Sequence, residues 1–337
     1  MDRQYNLFVH FFFNLIIFLL SFIEYSCKLK ENLCDMRKLT FFVAAFLMTG
    51  MLQAQSLEDY LSKYTKENGK MYLQPFADAF SADFNSGLFH NAKLKKKGLQ
   101  VYLGVVVQMA SIPNDAKYFQ AYTYSELYPP QGPYEVPTVF GPTDGVTVPI
   151  EGGGGLINYT FPGGFDVDMV PLAMPQLTVG SLFGTDLTLR YVSLDVDDIG
   201  KVDVFGWGIR HSVDQYIPLL PLNLAVGFYN QSFKVGDYMD AKATVINLQT
   251  SYSIPILTFY GGVGYESSKV DVEYDYSGVD PFAQPGDKIS FEMEGANTMR
   301  LTLGLGVNLG PVKIHGDYNI AKQNTFAVGL GIGINEK

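Results

Sequence analysis

Cysteine is nearly missing from this chain. Its two cysteines, Cys27 and Cys34, both precede residue 35, so nothing downstream can build a disulfide scaffold or a thiolate metal site. Bases are scarce as well. Leaving out residues 1–54 removes Arg3, Lys28, Lys30, Arg37 and Lys38 from 24 bases and Asp2, Glu24, Glu31 and Asp35 from 34 acids, which leaves 19 against 30. That balance excludes nucleic acid as a partner, because phosphate binding needs clustered Lys and Arg. The one dense basic run, "KLKKK" from Lys93, reads as a solvated turn. Histidine is confined to His10, His90, His211 and His315, with no HExxH pair and no Gly-x-Ser-x-Gly elbow. After residue 54 no apolar run is long enough for a spanning helix. If this part of the chain enters a membrane, it does so without helices.

The N-terminal sequence reads as two competing apolar segments. "LFVHFFFNLIIFLLSFI" from Leu7 to Ile23 has the length of a marginal membrane helix. Downstream, Met36 is followed by Arg37 and Lys38, an apolar run from Leu39 to Met51, and Ala54. This is the order of a secretory leader: basic n-region, short h-region, small residue at the cut. The expected start is therefore Met36, with residues 1–35 a spurious upstream extension and 36–54 a signal peptide cut after Ala54 or Gln55.

What the sequence has in quantity is glycine, 34 residues, and aromatic side chains, 14% of the chain. From about residue 98 both fall into a period of two. "TMRLTLGLGVNL" places Met299, Leu301, Leu303, Leu305, Val307 and Leu309 on one face and Arg300, Thr302, Gly304, Gly306 and Asn308 on the other. "VKIHGDYNI" and "TFAVGLGIGI" alternate in the same way. In a strand successive side chains point to opposite sides. Glycine on the non-apolar face weakens a strand and gains nothing on a solvated surface. A membrane barrel inverts the usual arrangement, with the apolar face to lipid and the small, polar face to the lumen. A secreted sandwich would share the period but not the glycine-rich face.

The expected strands are 98–110, 169–181, 185–195, 201–213, 221–233, 240–254, 257–269, 297–309, 311–321 and 324–334. The fold class is thus all-β, an antiparallel transmembrane barrel of about ten strands, within a range of about 8–14, occupying residues 98–337. Residues 111–168 have room for another hairpin. Short connections gather at one end and longer loops at the other, the exterior end in bacterial barrels.

Before the barrel, residues 55–97 form an N-terminal helical plug or a periplasmic segment. Leu73, Phe76, Phe80 and Phe84 recur at helical spacing, and Pro75 fits only in the first turn of such a helix. As a plug, the helix would pack Phe76, Phe80 and Phe84 on inward glycines at Gly104, Gly206, Gly208, Gly262, Gly264, Gly304, Gly306, Gly329 and Gly331. Asp78 and Asp83 would then meet lumen bases such as Arg190 or Arg300.

Strand parity turns Asp186, Arg190, Arg210, Glu266, Arg300, Lys313, His315 and Asp317 inward, where opposite charges form structural pairs. No catalytic residue, cofactor or metal ligand is expected. "GLGIGI" at Gly329 has no following helix, "DVDDIG" at Asp195 lacks the bidentate Glu of a calcium loop, and "EGGGG" at Glu151 lacks a P-loop lysine. Ser193 or Ser212 near His211 is the one candidate nucleophile arrangement. The outward parity of His211 places it instead in an aromatic rim with Phe205, Trp207 and Ile209.

Several segments resemble an uncharacterised family of outer-membrane β-barrel proteins from Bacteroidota-type Gram-negative bacteria. They are "YLQPFADAFSADFNSGLFHNAKLKKKGLQVYLGV", "PTVFGP" at Pro137, "MPQLTVGSLFGTDLTLRY" at Met174 and "GWGIRHSVDQYIPLLP" at Gly206. Leu88 departs from the tryptophan expected there, and the chain ends "GINEK" rather than on an aromatic residue. The resemblance implies fold and outer-membrane location but no activity. The expected role is porin-like passage or binding of a small, apolar molecule. A structural or surface-interaction barrel is the alternative, and an outer-membrane enzyme ranks third. Expected partners are outer-membrane lipid, the barrel-assembly machinery during insertion and a small-molecule cargo.

Overall fold

The computed structural model describes residues 60–123, 131–149, 158–196, 200–217, 220–276 and 286–334. The upstream stretch 1–35, the leader 36–54, most of the acidic turn after Asp195 and the glycine run at Glu151 lie outside these residues.

One helix, α1 (Lys66–Phe84), precedes the strands. Next come β1 (Gln100–Ser111) and four short strands, β2 (Tyr118–Thr123), β3 (Gln131–Pro137), β4 (Val146–Pro149) and β5 (Asn158–Phe161). Then follow β6 (Met169–Leu182), β7 (Thr185–Val196), β8 (Gly200–Ser212), β9 (Asn223–Val235), β10 (Met239–Ser253) and β11 (Leu257–Asp275). The short β12 (Lys288–Glu294) leads to β13 (Met299–Leu309), β14 (Val312–Ile320) and β15 (Thr325–Ile334).

Ten of these strands close an antiparallel barrel in the order β1-β6-β7-β8-β9-β10-β11-β13-β14-β15, and β15 returns to β1 through pairs such as Val105↔Leu330. All ten were legible from the period of two. The stretch between β1 and β6 holds two separate ribbons, β2–β3 and β4–β5, outside the barrel wall, and β12 extends the loop-side end of β11.

The faces are inverted as in a membrane barrel. Leu303 is 54% exposed while its neighbour Thr302 is 7% exposed, and the same alternation runs around the wall. Leu187, Phe205, Ile246, Phe259 and Leu301 face outward, whereas Gln176, Gln231, Gln249 and Asn319 are buried inside. A ring of large exposed apolar side chains around a polar interior is stable only where the outer surface meets lipid. Among the described residues no helix is long and apolar enough to cross a membrane.

The two shortest connections, β6–β7 and β13–β14, lie at one end. β6 and β7 are joined through Phe183 and Gly184, both at positive φ (51° and 72°), the geometry of a tight two-residue hairpin. β1 starts and β15 finishes at this turn end, while the ribbons and β12 stand at the opposite, loop end.

Candidate functional site

The lumen holds the N-terminal segment, which runs its length from the loop end to the turn end. At the loop end, Tyr64 and Tyr72 donate hydrogen bonds to the carbonyls of Pro162 (3.3 Å) and Gly163 (2.9 Å), and Tyr274 Oη donates to the Tyr64 carbonyl (3.0 Å). Tyr60, Tyr64, Phe119, Phe161 and Phe165 form an aromatic cap across this end. Burial pushes the Tyr64 and Tyr72 phenols above their ordinary range, and Tyr72 adds to the rise at Tyr64, so the cap stays uncharged.

Helix α1 descends from the cap. It begins at Lys66, so Pro75 stands in the helix interior and not in its first turn. An interior proline costs about 3 kcal/mol in an isolated helix. Burial of Tyr72, Leu73, Ala77 and Ala79 on both sides of it offsets that cost, an instance of tertiary packing overriding local preference. Phe76 stacks on Phe80 (4.7 Å), and Phe80 and Phe84 both pack on Phe233 of β9 (4.5 and 5.6 Å).

The glycine stripe does not receive these phenylalanines. Side chains added at the inward glycines would strike lumen groups of the wall itself: Tyr229 at Gly208, Tyr260 at Gly304, Tyr102 at Gly104 and Gly331, and His315 at Gly329. Only at Gly262 is the neighbour a residue of the N-terminal segment, Phe89. In a narrow barrel large rings must lie flat across adjacent strands, and glycine provides the floor for them.

Three lumen arginines hold the segment by its backbone. Arg300 donates to the Ala82 carbonyl (2.8 Å) and is paired with Glu266 (3.1 Å). Arg190 donates to the carbonyls of Phe84 (3.3 Å), Ser86 (3.2 Å) and Gly87 (2.6 Å), with Gln176 accepting from its Nε (2.9 Å). Arg210 donates to the Asn91 carbonyl (2.6 Å) and is paired with Asp186 (3.0 Å). Asp78 and Asp83, the expected partners of the arginines, make no direct hydrogen bond to them. Asp78 accepts from the Ala296 N–H (2.9 Å) and Gln74 (2.9 Å), and the fully buried Asp83 lies beside the Ala110 N–H and within reach of the Arg300 charge. The helix ends at Phe84, and it is the unpaired carbonyls at and beyond that end that offer acceptors to cations.

The other inward candidates sit lower. Asp317 accepts from Tyr260 Oη (3.1 Å) and Asn319 (2.6 Å). His315 meets Tyr102 Oη through Nε2 (3.2 Å), and its ring stacks on His90 (4.9 Å). Lys313 faces a cavity of about 250 Å³ at the turn end, bounded also by His90, Asn91, Lys93, Thr258, Asn308 and His315. Lys93, expected in a solvated turn, is therefore a lumen residue. The chain bends back at Lys95, whose N–H donates to Gln100 of β1 (2.9 Å).

Sequence reasoning did not single out Tyr102, Tyr229, Tyr260 and Gln231. Their signal is inward parity beside a glycine or an arginine on the neighbouring strand. His211 lies at the turn-end rim, bonded to Thr185 (2.8 Å) and Tyr216 (3.0 Å). Ser193 donates to Asp203 (2.6 Å) toward the other end of β7, and the buried Ser212 donates to Asp214 (2.7 Å). Neither serine is hydrogen-bonded to His211 among these contacts. Among the described residues no cluster of His, Cys, Asp and Glu could hold a metal.

A family described as "Family of unknown function (DUF6588)" matches residues 36–334. A search of curated proteins found no match. Among solved structures the chain is similar to the outer membrane protease OmpT from Escherichia coli, at 9% identity over 72% of this chain and 97% of that one, with a TM-score of 0.32. It is also similar to the β domain of the Bordetella autotransporter BrkA (11% identity, 70% and 99% covered, TM-score 0.29). A third is the translocator domain of the autotransporter NalP from Neisseria meningitidis (13% identity, 80% and 98% covered, TM-score 0.28). Likeness of this degree transfers no activity to this chain.

Proposed function

The chain belongs to the DUF6588 family of unknown function, and from its own geometry we propose that it is an outer-membrane barrel that binds a small molecule in a chamber at the turn end. In this reading the leader at 36–54 exports the chain and the assembly machinery inserts it. The outward apolar belt then meets lipid, with the loop end outside the cell. The observation that carries the reading is the 250 Å³ cavity left between the N-terminal segment and the barrel wall. Its lining joins the apolar Ile254, Pro255 and Ile314 to the polar His90, Asn91, Lys93 and Lys313, which suits a small molecule with an apolar body and a polar group. The helix and the aromatic cap fill the remainder of the lumen, which favours binding over free passage and gives catalysis no assembled nucleophile.

The test is a planar bilayer measurement on the mature protein, paired with thermal unfolding against a panel of small solutes that carry an apolar body and a polar group. The expected result is no steady open-pore conductance and a rise in melting temperature with at least one solute. Continuous conductance would replace binding by passage. A surface-interaction role is the second reading, favoured by the ordered aromatic core beneath the β2–β3 and β4–β5 ribbons.

A further inference from the structure

The three most exposed large apolar side chains among the described residues, Phe183 (72%), Leu182 (71%) and Tyr216 (69%), gather at one place on the turn-end rim. Hydrogen bonds between three segments bring them together. Gln215 Nε2 donates to the Phe183 carbonyl (3.3 Å), which ties the short helical turn Asp214–Tyr216 to the β6–β7 hairpin. The Ser181 N–H donates to the Gly98 carbonyl (3.2 Å), which seats the linker before β1 beside the same hairpin. Lys96 Nζ donates to the Gln215 carbonyl (3.3 Å) and joins that linker to the turn. Lys96, Lys97 and Leu99 of the linker are exposed.

This exposure is costly in two ways. By parity Leu182 would share the inward face of Gln176, Thr178 and Gly180, but a register irregularity between Gly180 and Leu182 turns it outward. Phe183 holds φ +51°, a left-handed conformation in which a bulky residue is uncommon and which glycine or asparagine adopts more easily. Leu182 extends the outward face of Val179, and Leu99 that of Leu103, so the patch is continuous with the apolar belt. Lys96 and Lys97 stand at its outer edge. Asp214, the carboxylate of these three segments, is turned inward, accepting from Ser212 Oγ (2.7 Å) and the Leu224 N–H of β9 (3.3 Å).

From this arrangement we infer that the rim patch docks an anionic phospholipid of the periplasmic leaflet, with its phosphate on Lys96 and Lys97 and its acyl chains against Leu99, Leu182 and Phe183. The inference rests on the membrane-barrel reading above, with the turn end on the periplasmic side, and is independent of the chamber. Continuity with the belt decides for lipid, because a protein partner would have to displace acyl chains along the same strands. Tyrosine and lysine at a bilayer edge lay an apolar body against the chains and keep a polar tip among the headgroups. Tyr216 has that form, its hydroxyl meeting His211 Nε2 at 3.0 Å. Basic side chains at this depth attract anionic headgroups over neutral ones.

The experiment titrates the mature protein in neutral detergent calorimetrically with short-chain phosphatidylglycerol and with phosphatidylcholine of equal chain length. Phosphatidylglycerol is expected to bind at least tenfold more tightly. Lys96→Gln combined with Lys97→Gln should abolish that preference. Phe183→Asn, which suits the left-handed backbone, should weaken both lipids at least threefold without lowering the melting temperature. Lys63→Gln combined with Lys66→Gln removes the same charge from exposed positions at the loop end and should change neither affinity. Equal affinity for the two lipids, or an equal loss from the loop-end pair, would overturn the site. Self-association of the intact protein that Phe183→Asn abolishes would make a second copy the occupant and overturn the lipid. A protein that inserts into vesicles without headgroup preference loses this inference and keeps the barrel reading; one that inserts into none loses both.

Discussion

Arg190 donates a hydrogen bond to the Gly87 carbonyl at 2.6 Å, joining β7 to the N-terminal segment at the point where that segment turns below the helix. Gly87 lies at φ +60°, and a side chain there would strike Val106 of β1. The same guanidinium reaches the carbonyls of Phe84 and Ser86, so one cation fixes three carbonyls within four residues, at and just past the helix end, to the wall. Irregular backbone inside a barrel has no water to satisfy its carbonyls, which explains why the donors come from the wall.

Arg190→Ala should therefore loosen the plug before it damages the barrel. The expected loss is about 2–4 kcal/mol in urea unfolding, from hydrogen bonds to a charged donor and the carbonyls left without partners. Brief conductance steps should appear in planar bilayers where the intact protein gives none. Arg190→Lys should recover only part of the loss, because an ammonium cannot span three carbonyls as the planar fork does. An unchanged midpoint and a silent bilayer would remove Arg190 from the plug anchor.

The inverted faces give a second test. Leu303→Arg should cost about 2–4 kcal/mol if the side chain meets lipid near the midplane. The buried Thr302 points into the lumen, and Thr302→Ser should be nearly neutral because it keeps a hydroxyl for Asn319, 2.7 Å away. Refolding into lipid vesicles, followed by heat-modifiable mobility on gels, reads both. A water-soluble, folded Leu303→Arg protein would overturn the membrane barrel.

The threading of the N-terminal segment sets a labelling pattern. Lys63 is exposed at the loop end and Lys96 at the turn end, where its Nζ donates to the Gln215 carbonyl (3.3 Å). No cysteine follows Cys34, so a single thiol introduced into a chain beginning at residue 55 reports cleanly. In whole cells an impermeant maleimide should modify Lys63→Cys and reach Lys96→Cys only after the outer membrane is permeabilised. The reverse pattern would invert the barrel, and equal labelling of both would mean that the segment does not thread the lumen.

Two buried carboxyls should respond differently to neutralisation. Glu266 is paired with Arg300, and Glu266→Gln leaves that guanidinium uncompensated, a loss of about 3–5 kcal/mol. Asp83 is buried without a side-chain hydrogen-bond partner, beside the Ala110 N–H and the Arg300 charge, so Asp83→Asn, which keeps an acceptor for that N–H, should be close to neutral, since it also removes the cost of burying a charge. Parallel urea titrations at neutral pH check the pair. A large loss at Asp83→Asn would mean that its carboxyl serves a partner in the folded barrel.

The sequence by itself determined the wall. Alternation at one-residue resolution decides which side chains share a face, so Leu301, Leu303 and Leu305 could be read as outward and Arg300 and Thr302 as inward without coordinates. The ten barrel strands and the helical spacing of Phe76, Phe80 and Phe84 were legible for the same reason, since each is a local period. Only the tertiary structure decided what meets inside. Parity turns Arg190 inward and the plug reading puts Asp83 in the same lumen, but neither carries information on height along the barrel axis or on the path of the N-terminal segment. Arg190 consequently binds backbone carbonyls, and the glycines lie beneath Tyr229 and Tyr260 of neighbouring strands instead of beneath the helix. The chamber between Lys93 and Lys313 was hidden for the same reason: the two are distant in sequence, and closure of the sheet and the return of the chain through it bring them to one cavity.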